Sequence, residues 1–149
     1  MKLRAIAFIT VLLVSVSAFS ADTDRKYITS SAPGASSLPF SDGVLVGNTL
    51  YIAGHLGLDK TGKPPAAVTD EVKNALDGIK SVLEGEGMTM DDLVSVQVFC
   101  SDVSLFSQFN GVYRTYFHDH FPARAFLGSG TLLFGAHFEV MGIAVKRAK

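Results

Sequence analysis

Arg124 and Glu139 stand fifteen residues apart, the first opening a β-type segment and the second inside the last one. A guanidinium and a carboxylate so placed have two readings. They can form an ordinary structural ion pair. Alternatively, the planar fork of the arginine grips the carboxylate of a small molecule while Glu139 handles a water beside it. Glu139 lies among Met141 and aliphatic neighbours, where a carboxylate needs a partner or its pKa rises and it stays neutral.

Other chemistry-bearing runs carry less. Gly57-Leu-Asp-Lys-Thr-Gly62-Lys63 satisfies seven positions of a phosphate-binding loop, but Pro64 replaces the hydroxyl residue that would ligate Mg²⁺. It reads as a turn between strand and helix. His118-Asp119-His120 sits at a helix end without a third ligand at metal spacing, where a cationic histidine suits the dipole anyway. His55 and His137 are lone strand histidines. Gly128-Ser129-Gly130 lacks the spacing of a nucleophile elbow. Cys100 ends a valine-rich strand and reads as a small core hydrophobe. Neither a metal nor a cofactor is implied.

These residues need a scaffold. The chain has 149 residues, 48% of them apolar, enough for one ordinary domain with its own core. Lys2 and Arg4 precede an uncharged run from Ala5 to Phe19, and Ala18-Phe19-Ser20 ends in small residues, so residues 1–21 read as a secretory signal peptide. Without Lys2 and Arg4 the chain keeps 11 basic against 14 acidic residues, a net −3, which offers nucleic acid little attraction. An exported, periplasmic or secreted location follows, with no stable membrane association after cleavage. A single cysteine excludes an internal disulfide.

Residues 22–37 read as an irregular lead-in and residues 38–149 as the domain. Val44 to Val46 and Thr49 to Ala53 flank Gly47-Asn48 as a hairpin. Val68, Val72, Leu76, Ile79 and Leu83 recur at helical spacing, with Asp70 and Glu71 in the first turn and Gly85 and Gly87 as stops. Leu93 to Phe99 alternates as a strand. A second helix from near Ser104 carries Phe106, Phe109, Tyr113, Tyr116 and Phe117 on one stripe and ends before Pro122. Without dense basic residues that stripe reads as core rather than a base-stacking platform. Arg124 to Leu133 and Phe138 to Val145 complete a β-β-α-β-α-β-β order, an α+β class with a mixed sheet covered by two helices on one face.

The last strand is apolar on both faces: Phe138, Val140, Gly142 and Ala144 on one, Met141, Ile143 and Val145 beside Glu139 on the other. Two helices cover one face. Another subunit must cover the second, so an oligomer is expected.

Five separated stretches are similar to the Rid (RidA/YjgF) family: Pro39-Phe40-Ser-Asp-Gly-Val44, Gly47-Asn-Thr-Leu-Tyr-Ile-Ala-Gly54, Phe109-Asn110-Gly-Val-Tyr113, Pro122-Ala-Arg124 and Phe138-Glu139-Val-Met-Gly-Ile-Ala-Val145. The resemblance implies a chorismate-mutase-like subunit assembled as a homotrimer with pockets at subunit interfaces. It implies hydrolysis of 2-imino acids to 2-keto acids and ammonia. Arg124 would bind the substrate carboxylate and Glu139 would position the water. Asn110 and a backbone carbonyl near Gly54 would line the pocket. Phe40 stands where the family has a pocket tyrosine, Phe126 where it often has a cysteine, and Leu132 to Ala136 where it has Leu-Pro-Lys-Gly-Ala; these changes bear on substrate range. The competing expectation is a non-catalytic trimer on the same fold, binding a small carboxylate or acting as an interaction or holdase-like module. Phe40, Phe126 and export favour it; joint retention of Arg124 and Glu139 favours the enzyme. A ribonuclease role suits the net charge poorly.

Overall fold

The apolar stripe from Val68 to Leu83 forms helix α1 (Val68–Gly85), which buries Val72, Leu76, Ile79 and Leu83, and also Glu71. It stops where the glycines stand: Gly87 N–H donates to the Glu84 carbonyl and Met88 N–H to that of Leu83, the paired closure of a Schellman turn. The second stripe forms α2 (Phe106–Tyr113), entered through a turn whose Ser104 N–H is held by Asp102 and extended by a tighter turn to Tyr116. The computed structural model describes residues 24–29 and 37–147. The expected signal peptide lies outside them.

Six strands form one sheet: β1 (Arg25–Ile28), β2 (Gly43–Val46), β3 (Thr49–Leu56), β4 (Leu93–Cys100), β5 (Ala123–Gly128) and β6 (Phe138–Val145). Their order is β1-β2-β3-β6-β4-β5, with β4 and β5 parallel and every other neighbour antiparallel. Leu50, Ile52, Val96, Val98, Phe138 and Val140 face the helices and are buried with Val72, Leu76, Phe109 and Tyr113 in one core. The expected class holds: a mixed sheet with both helices on one side.

Two expectations need correction. Arg25–Ile28, placed in the irregular lead-in, is a fourth N-terminal-half element, pairing with β2. Its charged residues hide it from periodicity; Arg25 and Lys26 suit an edge strand, and Lys26 reaches Glu86 at 2.8 Å. The strand expected from Arg124 to Leu133 ends at Gly128, because Gly130 turns the chain at φ +73°.

Candidate active site

Arg124 lies on β5, the edge of the sheet, opposite Val96 of β4. Directly paired residues point to the same face, so Arg124 points toward the helices, as does Phe126 opposite Val98. There the guanidinium rests on aromatic rings. Its carbon is 4.5 Å from the centroid of Tyr113 and within 6 Å of those of Phe106, Phe109 and Phe126. A desolvated contact of this kind contributes about 2 kcal/mol. Phe126 packs edge-on against Phe106 at 5.0 Å and Phe109 at 5.4 Å. It props the arginine from below rather than lining the space above it.

That space is a cleft of about 300 Å³ lined by Asn110, Tyr113, Arg114, Phe121, Pro122 and Arg124. Asn110, Tyr113 and Arg114 meet there because positions three and four apart share a helix face. Two polar atoms on it, Arg124 Nη1 and Tyr113 Oη, are buried without a hydrogen-bond partner among the described residues. Burial pushes the Tyr113 hydroxyl up to about 12, outweighing the opposite pull of Arg124, so it is a proton donor at neutral pH. Buried donors without acceptors are costly, and an anionic ligand satisfies both.

Glu139 is elsewhere. It pairs with Phe99 across the β4–β6 ladder, one position out of step with Val98 and Val140, and therefore points to the face away from the helices. No ion pair joins it to Arg124, and among the described residues its carboxylate has no hydrogen-bond partner. Gly54 stands beside it: a Cβ there would lie 2.9 Å from Glu139 Cδ, so only glycine lets the carboxylate lie against this backbone. The structural ion pair that the sequence left open is thus absent. The expected residues fall into two groups, Arg124, Asn110 and Phe126 on the helix side and Glu139 with Gly54 on the open side; Phe40 is exposed ahead of β2, outside the cleft.

Of the other candidates, Cys100 is fully buried, its Sγ donates to the Asp102 carbonyl, and burial raises its thiol pKa, all features of a core residue. Asp59 ties Gly57 to Lys63 into a turn by accepting from Thr61 and Lys63. His118 pairs with Asp91 at 3.1 Å, and among the described residues no three His, Cys, Asp or Glu side chains stand where they could share an ion. Sequence reasoning missed Tyr113 as more than core, and missed Arg114; the signal available was their offset from Asn110.

Helices on one side of a mixed sheet, with an arginine cleft at the sheet edge, define a chorismate-mutase-like α+β subunit. The chain belongs to the Rid/YjgF family: the family model described as endoribonuclease L-PSP matches residues 29–146. It is 37% identical over 124 residues to the 2-iminobutanoate/2-iminopropanoate deaminase of Bos taurus, covering 82% of this chain and 90% of that one. The protein of the same name from Escherichia coli K12 is 33% identical over 127 residues, 83% of this chain and 98% of that one. Among solved structures, the YjgF gene product of E. coli superposes with a TM-score of 0.74 at 32% identity, covering 82% and 99%. E. coli TdcF with bound serine gives 0.74 at 28%, covering 82% and 100%.

Proposed function

We propose that the protein is an imine deaminase, hydrolysing 2-imino acids to 2-keto acids and ammonia at a site completed by Glu139 of the partner subunit. One observation carries this reading. Among the described residues, Arg124 and Tyr113 present buried, unpartnered donors to a cleft at the sheet edge, while Glu139 lies unpartnered on the face away from the helices. Each half is unsatisfied alone. A homotrimer that seats the open face of one subunit against the edge of the next would join them. The relatives named above as deaminases support the chemistry.

Arg124 holds the substrate carboxylate as a fork, fixing the imine carbon in place. The protonated imine is already electrophilic. Water adds to that carbon as the Glu139 carboxylate takes its proton, forming a C–O bond and a carbinolamine. The carboxyl group of Glu139 then returns the proton to the amine nitrogen. As the C–N bond breaks, the carbinolamine hydroxyl gives its proton to the Glu139 carboxylate and through it to the departing ammonia, so keto acid and ammonium leave. Charge on the imine is stabilised by the same carboxylate. Asn110 lines the cleft and can accept or donate to the substrate.

The test is keto-acid release from 2-iminobutanoate generated in situ by an amino-acid oxidase, with semicarbazide competing for unhydrolysed imine. Wild type outruns the trap. Glu139→Gln lowers kcat with little change in KM, whereas Arg124→Ala raises KM as well. Release at the protein-free rate in wild type overturns the deaminase and leaves the carboxylate-binding trimer. We place the activity in an exported compartment, on the strength of the run from Lys2 to Ser20; intact mass of the exported protein should begin near Ala21.

A further inference from the structure

The Arg124 cleft holds a second guanidinium. Arg114, at the C-terminal end of α2, lines the same cleft and donates from Nε to the Asn110 carbonyl at 3.2 Å. That bond caps the helix end, where a cation also suits the dipole. It uses one of five donors and leaves the charge uncompensated. Among the described residues neither Arg114 nor Arg124 has a carboxylate within ion-pair distance, whereas Arg147 has both Asp92 and Asp119. Among the described residues of the subunit, no acidic side chain lines the cleft. One arginine accounts for one carboxylate; with Glu139 of the partner subunit reserved for the water and the imine, the second guanidinium in about 300 Å³ is left for a second anionic group on the ligand.

We propose that the cleft selects ligands with two anionic groups, Arg124 taking the 2-carboxylate and Arg114 a carboxylate on the side chain. The substrate class is then 2-imino acids with acidic side chains, and their 2-keto products. Phe121 and Pro122 supply the apolar lining of the same cleft, against which the methylenes of such a side chain would pack. This rests on the assignment of Arg124 as the 2-carboxylate clamp, but not on turnover.

Product keto acids of equal chain length test it by calorimetry on the assembled protein: 2-oxoglutarate against 2-oxopentanoate, which lacks only the second carboxylate. Wild type should bind 2-oxoglutarate about ten-fold more tightly or better, as a charge-assisted pair implies. Arg114→Ala should bring the ratio of the two affinities to about one, and Arg114→Lys should keep part of it. Arg124→Ala should weaken both ligands. A wild-type ratio near one, or a ratio unchanged in Arg114→Ala, overturns the proposal. So does the absence of binding by either ligand. Because binding is read without catalysis, a failed deaminase assay and a failed diacid preference are separate results.

Discussion

Glu71 is fully buried in the first turn of α1, yet its carboxylate is fully engaged. Oε1 accepts the backbone N–H groups of His137 at 2.6 Å and Phe138 at 3.1 Å, and Oε2 lies 2.7 Å from His137 Nδ1. These contacts tie the helix to the first residues of β6, immediately before Glu139. Glu71→Ala would strand the buried Phe138 N–H and the half-buried His137 N–H and should cost about 3–5 kcal/mol, read as a lowered urea midpoint at unchanged slope. Glu71→Gln keeps an acceptor for both N–H groups and should cost distinctly less. His55 makes a second residue-scale prediction. Its Nε2 is buried without a partner among the described residues, and burial depresses its pKa below 6.5 against a smaller opposite effect of Asp42. The folded state therefore resists a proton that the unfolded chain accepts. Stability should be highest above about pH 6.5 and fall as pH drops below it, by at most about 1.4 kcal/mol per pH unit. The depressed carboxylates Asp59, Asp91 and Asp102 act below their ordinary value of 3.8, outside this window. Urea titrations at pH 7.5 and 5.5 check it: His55→Gln should flatten the difference.

Elements with a strong period were legible and those made by tertiary contact were not. Val72, Leu76, Ile79 and Leu83 announce α1, and the two-sided apolar alternation of Phe138 to Val145 announces both β6 and its uncovered face. β1 carries no such signal, because four residues headed by Arg25 and Lys26 become a strand only by pairing with β2. The site was legible as residue types but not as an arrangement. Arg124 and Glu139 lie on strands either side of β4, and which face each occupies depends on register, where one residue reverses everything. Glu71 was readable as a first-turn acid, but not as the buried anchor of another element. The register of β3 adds a prediction. It shifts between Ile52 and His55, so His55 turns to the helices while Gly54 backs onto Glu139. Gly54→Ala must push the carboxylate aside. A displacement of about 1 Å should lower kcat by roughly 10²-fold with KM little affected, measured in the same trap assay. A kcat within two-fold of wild type would mean that Glu139 need not lie there.

At the scale of the whole molecule, the uncovered face and the half-built cleft are one problem. Tyr51, Phe99, Met141, Ile143 and Leu127 share the face bearing Glu139, with Tyr51 and Leu127 nearly half exposed at 49% and 44%. Such a contiguous apolar surface marks an interface. The face lies away from the helices, while the Arg124 cleft lies at the β5 edge on the helix side. In the proposed assembly, joining them is a heterologous contact, which gives a ring such as a trimer when its rotation closes. The consequence is functional complementation. Arg124→Ala and Glu139→Gln, each strongly impaired, carry opposite intact halves. Dissociated in urea, mixed equally and reassembled, they form sites at random. A site is whole when the arginine side comes from Glu139→Gln and the glutamate side from Arg124→Ala, so about a quarter of wild-type activity should return. Mixing without dissociation should return none if exchange is slow. If reassembled mixtures stay at the level of the parents while both assemble like wild type, the two residues do not meet across an interface. Arg124 would then clamp a ligand without Glu139, and the chemistry would have to come from the cleft itself.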